Sequence, residues 1–309
     1  MKNTILFGDC RDTLPTIDVK ARMCVTSPPY YGLRNYGGEQ DQIGQEDTPE
    51  QFIENLVDVF RSVRDVLTDD GTLWVNIGDS YYNYRPGKGQ ALVKQTVSKT
   101  ERDQPQTCAR RANKLEGLKE KDLIGIPWML AFALRADGWY LRQDIIWHKP
   151  NPMPESVKDR CTKSHEYLFL LSKNKKYYYD NEAIKEPVKQ DWGTRDRTGG
   201  KYHNPGTGLQ PHSGLSKSYE RKNKRDVWTI TNKPYKGAHF AVFPPDLIEP
   251  CILAGSEQGD IVLDPFMGSG TTGMVAKKNF RSYIGCELHK DYASLQTDRI
   301  DSIPPQLVL

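Results

Sequence analysis

The feature that most constrains the fold is an apolar segment at residues 261–264 that runs directly into a loop of small residues. This loop contains Gly268 and Gly270, and a helix-compatible segment begins at Thr271. Glycines permit positive φ and close approach of the backbone to a ligand, while the N–H groups at a helix start are free to bind an anion. A strand, a ligand loop and a helix in this order predict a βα unit of an α/β fold.

Two common nucleotide loops fit this segment poorly. A phosphate-binding loop requires Gly-Lys-Ser/Thr, whereas Gly270 is followed by Thr271 with no lysine. The dinucleotide pattern GxGxxG is also a poor match, because residues 264–266 (Asp-Pro-Phe) replace its short turn and the next glycine is Gly273.

A second motif, Thr-Ser-Pro-Pro-Tyr at residues 26–30, follows a strand-like apolar run at residues 23–25. Two prolines in succession end a strand, and they hold the Ser27 hydroxyl and the adjacent carbonyls in one orientation beside the Tyr30 ring. Such a loop suits a flat ring that forms hydrogen bonds along its edge. Alone, the motif is more typical of a simple turn that closes a strand.

Together, residues 26–30 and residues 264–272 resemble the amino-group DNA methyltransferases that use S-adenosylmethionine, in the β arrangement of that family. The resemblance implies a doubly wound, Rossmann-like α/β fold whose mostly parallel, seven-stranded sheet has one antiparallel strand, plus an inserted DNA-recognition region. The expected segments are 1–84 and 122–184 for the catalytic half, 85–121 for a basic insertion, 185–236 for target recognition and 237–309 for the cofactor-binding half.

The resemblance also implies a role for each motif residue. The catalytic loop is Ser27, Pro28, Pro29 and Tyr30. The expected cofactor-binding residues are Asp9, Thr26, Phe240, Asp264, Pro265, Phe266, Gly268, Ser269, Gly270, Thr271, Thr272 and Glu287. The expected DNA-binding residues are Arg34, Arg195, Arg197, Arg221, Lys222, Lys224 and Arg225.

Two of these carboxylates have a structural alternative. Asp9 follows a buried strand and either contacts the adenine of the cofactor or caps the turn at residues 10–14. Glu287 ends a strand about twenty residues beyond the glycines, a place that suits the two ribose hydroxyls of a nucleoside. Helix capping is the alternative for Glu287.

Charge is distributed unevenly, although the net charge is only +3. Residues 185–236 carry twelve cations against five acids, and residues 85–121 carry ten against four. A surplus of this density suits a polyphosphate such as double-stranded DNA. The alternative is a pair of solvated loops without a partner.

Several classes of protein are disfavoured. The six cysteines lack any CxxC spacing, so neither a metal site nor a disulfide framework is indicated. An apolar run long enough to cross a membrane is missing from the sequence, and a cytoplasmic protein is expected. A cognate restriction endonuclease is the second partner that the resemblance suggests, and the protein is expected to be a monomer or a homodimer.

The expected chemistry is direct transfer of a methyl group to the exocyclic amino group of a flipped base. Serine at the first motif position favours N4 of cytosine, with N6 of adenine as the alternative. C5-cytosine chemistry would need a nucleophilic cysteine, but Cys251 lies in a predicted helix. His148, at a predicted strand end, is more typical of a structural residue. A non-catalytic DNA-binding protein and an RNA or protein methyltransferase are the remaining alternatives.

Overall fold

The computed structural model describes residues 1–32, 42–82, 114–188, 220–232 and 243–304. The described strands, in chain order, are β1 (Thr4–Phe7), β2 (Ala21–Thr26), β3 (Leu67–Ile77), β4 (Tyr140–His148), β5 (His165–Ser172), β6 (Glu186–Pro187), β7 (Arg221–Lys222), β8 (Val227–Thr229), β9 (Ile261–Asp264) and β10 (Ser282–Glu287). The described helices are α1 (Cys10–Thr13), α2 (Pro49–Val66), α3 (Ile126–Ala136), α4 (Pro245–Gly255), α5 (Thr271–Lys278) and α6 (Ala293–Asp301), with 3₁₀ turns at Leu14–Thr16 and Lys290–Tyr292.

Eight of these strands form one sheet in the order β1-β10-β9-β2-β3-β5-β4-β8. Only β5, among the described strands of this sheet, runs antiparallel to its neighbours β3 and β4; the other pairs are parallel. This confirms the predicted mixed sheet with one reversed strand. β6 and β7 form a separate two-stranded ribbon.

The sheet differs from the prediction at its edge. It has eight strands where seven were expected, because β8 pairs in parallel with β4 through Ile146, Trp147 and His148. β8 is only three residues long and lies within the basic segment, so it shows no alternating pattern that sequence reasoning can use. Trp228, its middle residue, is buried and attaches the recognition segment to the sheet.

Helices cover both faces of the sheet, as a doubly wound fold requires. Successive side chains of β3 point to opposite faces: Leu73 and Val75 pack in the core beneath α2 and α3, whereas Trp74 packs in the core beneath α4 and α5. The two cores are separate layers, one on each face. Burial on both sides explains why the consecutive residues Leu73, Trp74 and Val75 of β3 are all apolar.

The sequence Thr48-Pro49-Glu50-Gln51, followed by apolar residues at helical spacing, predicts a packing helix with Thr48 as its N-cap, and α2 confirms it. Thr48 is the N-cap, and its hydroxyl accepts a hydrogen bond from the backbone N–H of Gln51 at 3.2 Å. Its apolar face is fully buried against the sheet by Phe52, Leu56, Val59, Phe60 and Val63. Within the described ranges, no helix combines the length and the apolar character needed to cross a membrane.

Candidate functional site

A cavity of about 560 Å³ opens at the carboxyl edge of the sheet, where the loops after β1, β2, β3, β9 and β10 meet. Its wall contains residues of both sequence motifs, which are separated by more than 230 positions in the chain. The predicted site residues that line it are Asp9, Ser27, Pro28, Pro29, Tyr30, Pro265, Phe266, Gly268, Ser269, Thr271 and Glu287. The carboxyl edge of a doubly wound sheet is the usual ligand position for this fold.

The position of Tyr30 in the wall is fixed at both its hydroxyl and its ring. Its hydroxyl donates to Glu166 Oε2 at 2.7 Å. Its ring lies so close to Gly78 that a Cβ atom at that position would be 2.7 Å from the ring atom Cε2. The ring therefore has a defined place beside Ser27 and Pro28, as expected for a residue that stacks on a planar ligand.

A buried carboxylate joins the two motifs behind this wall. Asp264 Oδ1 accepts from the Thr26 hydroxyl at 2.6 Å and from the Phe266 N–H at 3.0 Å, and Oδ2 accepts from the Thr272 hydroxyl at 2.5 Å. Burial raises the pKa of Asp264 to about 6, and these three hydrogen bonds act in the opposite direction by stabilising its charged form. The network fixes the catalytic loop relative to the glycine loop.

Four of the cofactor-binding residues predicted from sequence lie behind the described lining of the cavity. Thr26, Asp264 and Thr272 have buried side chains, with both threonine hydroxyls bonded to Asp264, and their contact with the cofactor stays a prediction. Gly270, with φ of +81°, is the N-cap of α5 and packs against Gln296. These residues support the wall of the cavity from behind and do not belong to its lining.

Glu287 and the glycine loop form the opposite end of the cavity. Glu287 Oε2 accepts from the Gly268 N–H at 2.8 Å, and Oε1 accepts from the His289 N–H at 2.9 Å. Burial raises the pKa of Glu287 to about 7, although these backbone hydrogen bonds favour the charged form. The capping alternative fails, because Glu287 does not bond to the free N–H groups of a helix but holds the glycine loop.

His289 supplies a test of whether this end of the cavity fits a polar ligand. Its ring lines the cavity, yet its Nε2 atom is buried and lacks a hydrogen-bond partner within the described part of the chain. A buried polar atom of this kind carries a free-energy cost that a ligand hydrogen bond would remove. Apolar surface from Phe243, Phe266 and Leu288 is available for a flat ring in the same region.

Asp9 has the capping role that was one of its two alternatives. Its Oδ1 atom accepts from the Arg11 backbone N–H at 2.8 Å at the start of α1, and its carboxylate forms an ion pair with the Arg11 guanidinium at 2.6 Å. Asp9 also lines the cavity, so its predicted contact with the cofactor stays a prediction.

Sequence reasoning missed several polar residues in the cavity wall, and three of them contact one another. Asn76 is the last residue but one of β3, Lys149 follows β4 and Glu166 is the second residue of β5. Asn76 Nδ2 donates to Glu166 Oε2 at 3.2 Å, and Lys149 Nζ forms a close ion pair with Glu166 Oε1. The only sequence signal was their position at the ends of predicted strands.

The four described residues of the predicted DNA-binding set lie outside the cavity wall. Lys222 and Arg225 contact the carboxylate of Glu186, and the Lys224 ammonium lies 4.8 Å from the centre of the Trp228 ring. Arg221 donates to the backbone carbonyl of Lys185 at 2.7 Å. Arg34, Arg195, Arg197 and Phe240 are outside the described residues.

Two alternative catalytic residues are placed away from the cavity. Cys251 is fully buried within α4, where burial raises the pKa of its thiol, and the thiol donates to the Leu247 carbonyl. A buried, protonated thiol is not a nucleophile. His148 Nδ1 is hydrogen-bonded to the Thr229 hydroxyl at 3.2 Å and is absent from the described lining of the cavity.

Comparison with known proteins identifies the fold and its family. A sequence model of the N6_N4_Mtase family, described as DNA methylase, matches residues 21–298. The chain belongs to this DNA methylase family. M.SmaI of Serratia marcescens, a Type II methyltransferase, is 49% identical over 297 residues, which are 96% of this chain and 90% of the relative. The family predicted from the two motifs is therefore confirmed.

Solved structures confirm the methyltransferase fold. The PvuII DNA methyltransferase, named as cytosine-N4-specific, has a TM-score of 0.64 at 17% identity, with 99% of this chain and 89% of that chain covered. M1.HpyAVI, solved as a complex with SAM, has a TM-score of 0.53 at 18% identity, with 96% and 98% covered. DNA is the substrate of this DNA methylase, and S-adenosylmethionine is the cofactor of its family.

Proposed function

We propose that this DNA methylase transfers a methyl group from S-adenosylmethionine to the exocyclic N4 atom of a cytosine flipped out of duplex DNA. The observation that carries the proposal is the shared cavity, whose wall includes both the Ser27–Tyr30 loop and the Gly268 loop. One loop binds the base and the other the methyl donor. A base paired within a duplex cannot reach such a cavity, so it must leave the helix.

The cavity has suitable residues for the cofactor. The Glu287 carboxylate retains free lone pairs for the ribose hydroxyls, and the free Nε2 of His289 is available for a further hydrogen bond. Phe266 offers apolar surface for the adenine, and the backbone of Gly268 permits close approach. S-adenosylmethionine supplies an electrophilic methyl group bonded to a positively charged sulfur.

The catalytic loop prepares the amino group of the base for attack. The lone pair of that amino group is delocalised into the ring, which makes the nitrogen a weak nucleophile. Within the described part of the chain, no group is hydrogen-bonded to the Ser27 hydroxyl, which lines the cavity. Ser27 Oγ and the Pro28 carbonyl accept the two amino hydrogens, and this concentrates the lone pair on nitrogen.

The transfer is direct. The amino nitrogen forms a bond to the methyl carbon while the carbon–sulfur bond breaks, the bonding pair remains on sulfur, and the nitrogen then loses a proton. Tyr30 stacks on the base and holds it in line with the methyl group. A covalent enzyme intermediate is unnecessary, in agreement with the buried position of Cys251.

The choice of cytosine over adenine rests on two observations. Serine occupies the first position of the catalytic loop, and the structural relative PvuII methyltransferase is named as cytosine-N4-specific. N6-adenine methylation is the alternative that the same cavity accommodates. The Type II designation of M.SmaI further supports a cognate restriction endonuclease as a cellular partner.

The experiment that tests the proposal identifies the methylated nucleoside. Duplex DNA is incubated with the protein and radiolabelled cofactor, digested to nucleosides and separated by chromatography. We expect label in N4-methylcytosine. Label in N6-methyladenine would overturn the choice of base, and no transfer to any DNA would overturn the proposed activity.

The same assay tests the catalytic loop. Ser27→Ala removes one of the two acceptors for the amino hydrogens, and we expect turnover to fall about a hundredfold, the effect of losing one preorganised hydrogen bond in a transition state. Ser62→Ala is the matched control, because Ser62 lies on the exposed side of α2. Equal turnover in the two variants would exclude Ser27 from the reaction.

A further inference from the structure

The Glu166 carboxylate is the point at which four separate segments of the cavity wall meet. Oε2 accepts from the Tyr30 hydroxyl at 2.7 Å and from Asn76 Nδ2 at 3.2 Å. Oε1 is paired with Lys149 Nζ. These partners come from the catalytic loop, the end of β3 and the segment after β4, and they are separated from Glu166 by between 17 and 136 residues in the chain.

The charge of this cluster is largely removed from water. The side chains of Lys149 and Glu166 are only 15% and 16% exposed. Lys149 Nζ also lies 4.1 Å from the centre of the Trp147 ring, where the face of the indole attracts a cation. A buried ion pair is a weak source of stability, because desolvation offsets most of the attraction between the charges. Because the ion pair lies beside the Ser27–Tyr30 loop, its role is to hold the residues of that loop in place.

Glu166 is poorly suited to act as a base. A general base needs a free lone pair directed at the proton that it removes. Both oxygens of Glu166 already accept from protein donors, one of which is the Lys149 ammonium. The carboxylate is thus engaged in holding its neighbours.

We propose that Glu166 is a positioning residue that sets the place of the Tyr30 ring, and through it the place of the flipped base. This inference rests on the proposed function. The ring of Tyr30 is confined by Gly78 on one side, and its hydroxyl is fixed by a hydrogen bond to a carboxylate, which is stronger than one to a neutral acceptor. The flipped base stacks on the Tyr30 ring, so a defined position of the ring defines the distance from the amino nitrogen of the base to the methyl group. The rate of transfer depends steeply on this distance.

The test compares Glu166→Gln, Tyr30→Phe and the double variant in single-turnover methylation of DNA. Glu166→Gln keeps the size of the side chain but removes its charge, and Tyr30→Phe keeps the ring but removes the hydroxyl. We expect each single variant to lose about tenfold in rate, and the double variant to lose no more than the larger single loss, because both changes remove the same interaction. Affinities for DNA and for the cofactor should change less than about twofold.

Glu249→Gln is the matched control, since Glu249 forms a Lys–Glu ion pair with Lys278 outside the cavity. It should retain the wild-type rate. The urea midpoint of every variant is measured as well, because a merely structural role for Glu166 would lower stability and give losses that add to those of Tyr30→Phe.

Two results would overturn the inference while the proposed function stands: a wild-type rate for Glu166→Gln, or additive losses in the double variant. Methylation of adenine by the wild-type protein would overturn the choice of cytosine but leave the role of Glu166 intact, because Tyr30 stacks on either base. A wild-type protein that methylates no DNA would overturn both.

Discussion

At the scale of single residues, the proposed contact of Glu287 with the ribose hydroxyls makes cofactor binding depend on pH. Burial raises the pKa of its carboxyl group to about 7, so this group changes charge near neutrality. The ionised carboxylate accepts hydrogen bonds from hydroxyl donors more strongly than the protonated group, which uses one oxygen as a donor. The ionised fraction rises from about a tenth at pH 6 to about nine tenths at pH 8.

We therefore expect the affinity for S-adenosylmethionine to be about ninefold higher at pH 8 than at pH 6, a change set by the ionised fraction of Glu287. Isothermal titration calorimetry at several pH values measures it. Glu287→Gln should bind more weakly at high pH and show a flatter profile. If the variant keeps the wild-type pH dependence, another group is responsible.

Single residues were predictable from sequence where a motif carries them. Ser27, Tyr30, Gly268 and Glu287 all line the cavity as expected. Each belongs to a sequence pattern that lies at the end of a predicted strand, so the sequence itself places it at the ligand edge of the sheet. Glu166 was not predictable. Its role depends on which residues of distant strands are neighbours in the sheet, and one glutamate at a strand end carries no such information.

At the scale of elements, α5 is attached to β9 and β2 through one carboxylate. Thr272 at the start of α5 and Thr26 at the end of β2 both donate to Asp264 at the end of β9. The hydroxyls are fully buried, so water cannot replace a lost donor. The relative position of the three elements depends on this shared acceptor.

Thr272→Val removes one donor while keeping the shape of the side chain. We expect the free energy of unfolding to fall by about 1.5–3 kcal/mol, the typical contribution of a hydrogen bond to a charged group. Thr272→Ser keeps the hydroxyl and should lose less. Because the pKa of Asp264 is about 6, the loss should be larger at pH 8, where the carboxylate is charged, than at pH 5. Urea unfolding at both pH values measures the difference, and equal losses would contradict this account.

A helix or strand was predictable from sequence where its hydrophobic pattern extends over many residues. The eighteen residues of α2 show a helical period and a cap, and both were confirmed. The composition of residues 69–71, Asp-Asp-Gly, predicts a turn from sequence alone, yet the segment lies within β3, at a place where the pairing with β2 shifts its register. Asp-Asp-Gly is typical of a turn, but it also suits a strand irregularity, and only the neighbouring strand decides between them.

At the scale of the whole molecule, a small net charge of +3 conceals a local basic surface around β7 and β8. Lys222, Lys224 and Arg225 are three of the four described cations of the predicted DNA-binding set; the fourth, Arg221, donates to the backbone carbonyl of Lys185. Binding of cations to phosphates releases counterions, which makes the affinity fall with added salt.

Replacing these three residues together with glutamine should weaken binding to duplex DNA and reduce the slope of log affinity against log salt by up to about 2.7, or about 0.9 per lost phosphate contact. Fluorescence anisotropy at several salt concentrations measures the slope. Replacement of Lys277 and Lys278, at the end of α5, is the matched control. An unchanged slope would place the DNA elsewhere.

The pairing of β1 with β10 has a consequence for the synthesis of the protein. Asn3 accepts a hydrogen bond from the backbone N–H of Tyr283, 280 positions later, and Glu287 and His289 line the cavity. A growing chain that has released the Ser27–Tyr30 loop from the ribosome still lacks the walls for a methyl donor. The described cavity wall is complete only when translation has passed Tyr292, so we expect a product interrupted earlier to be inert.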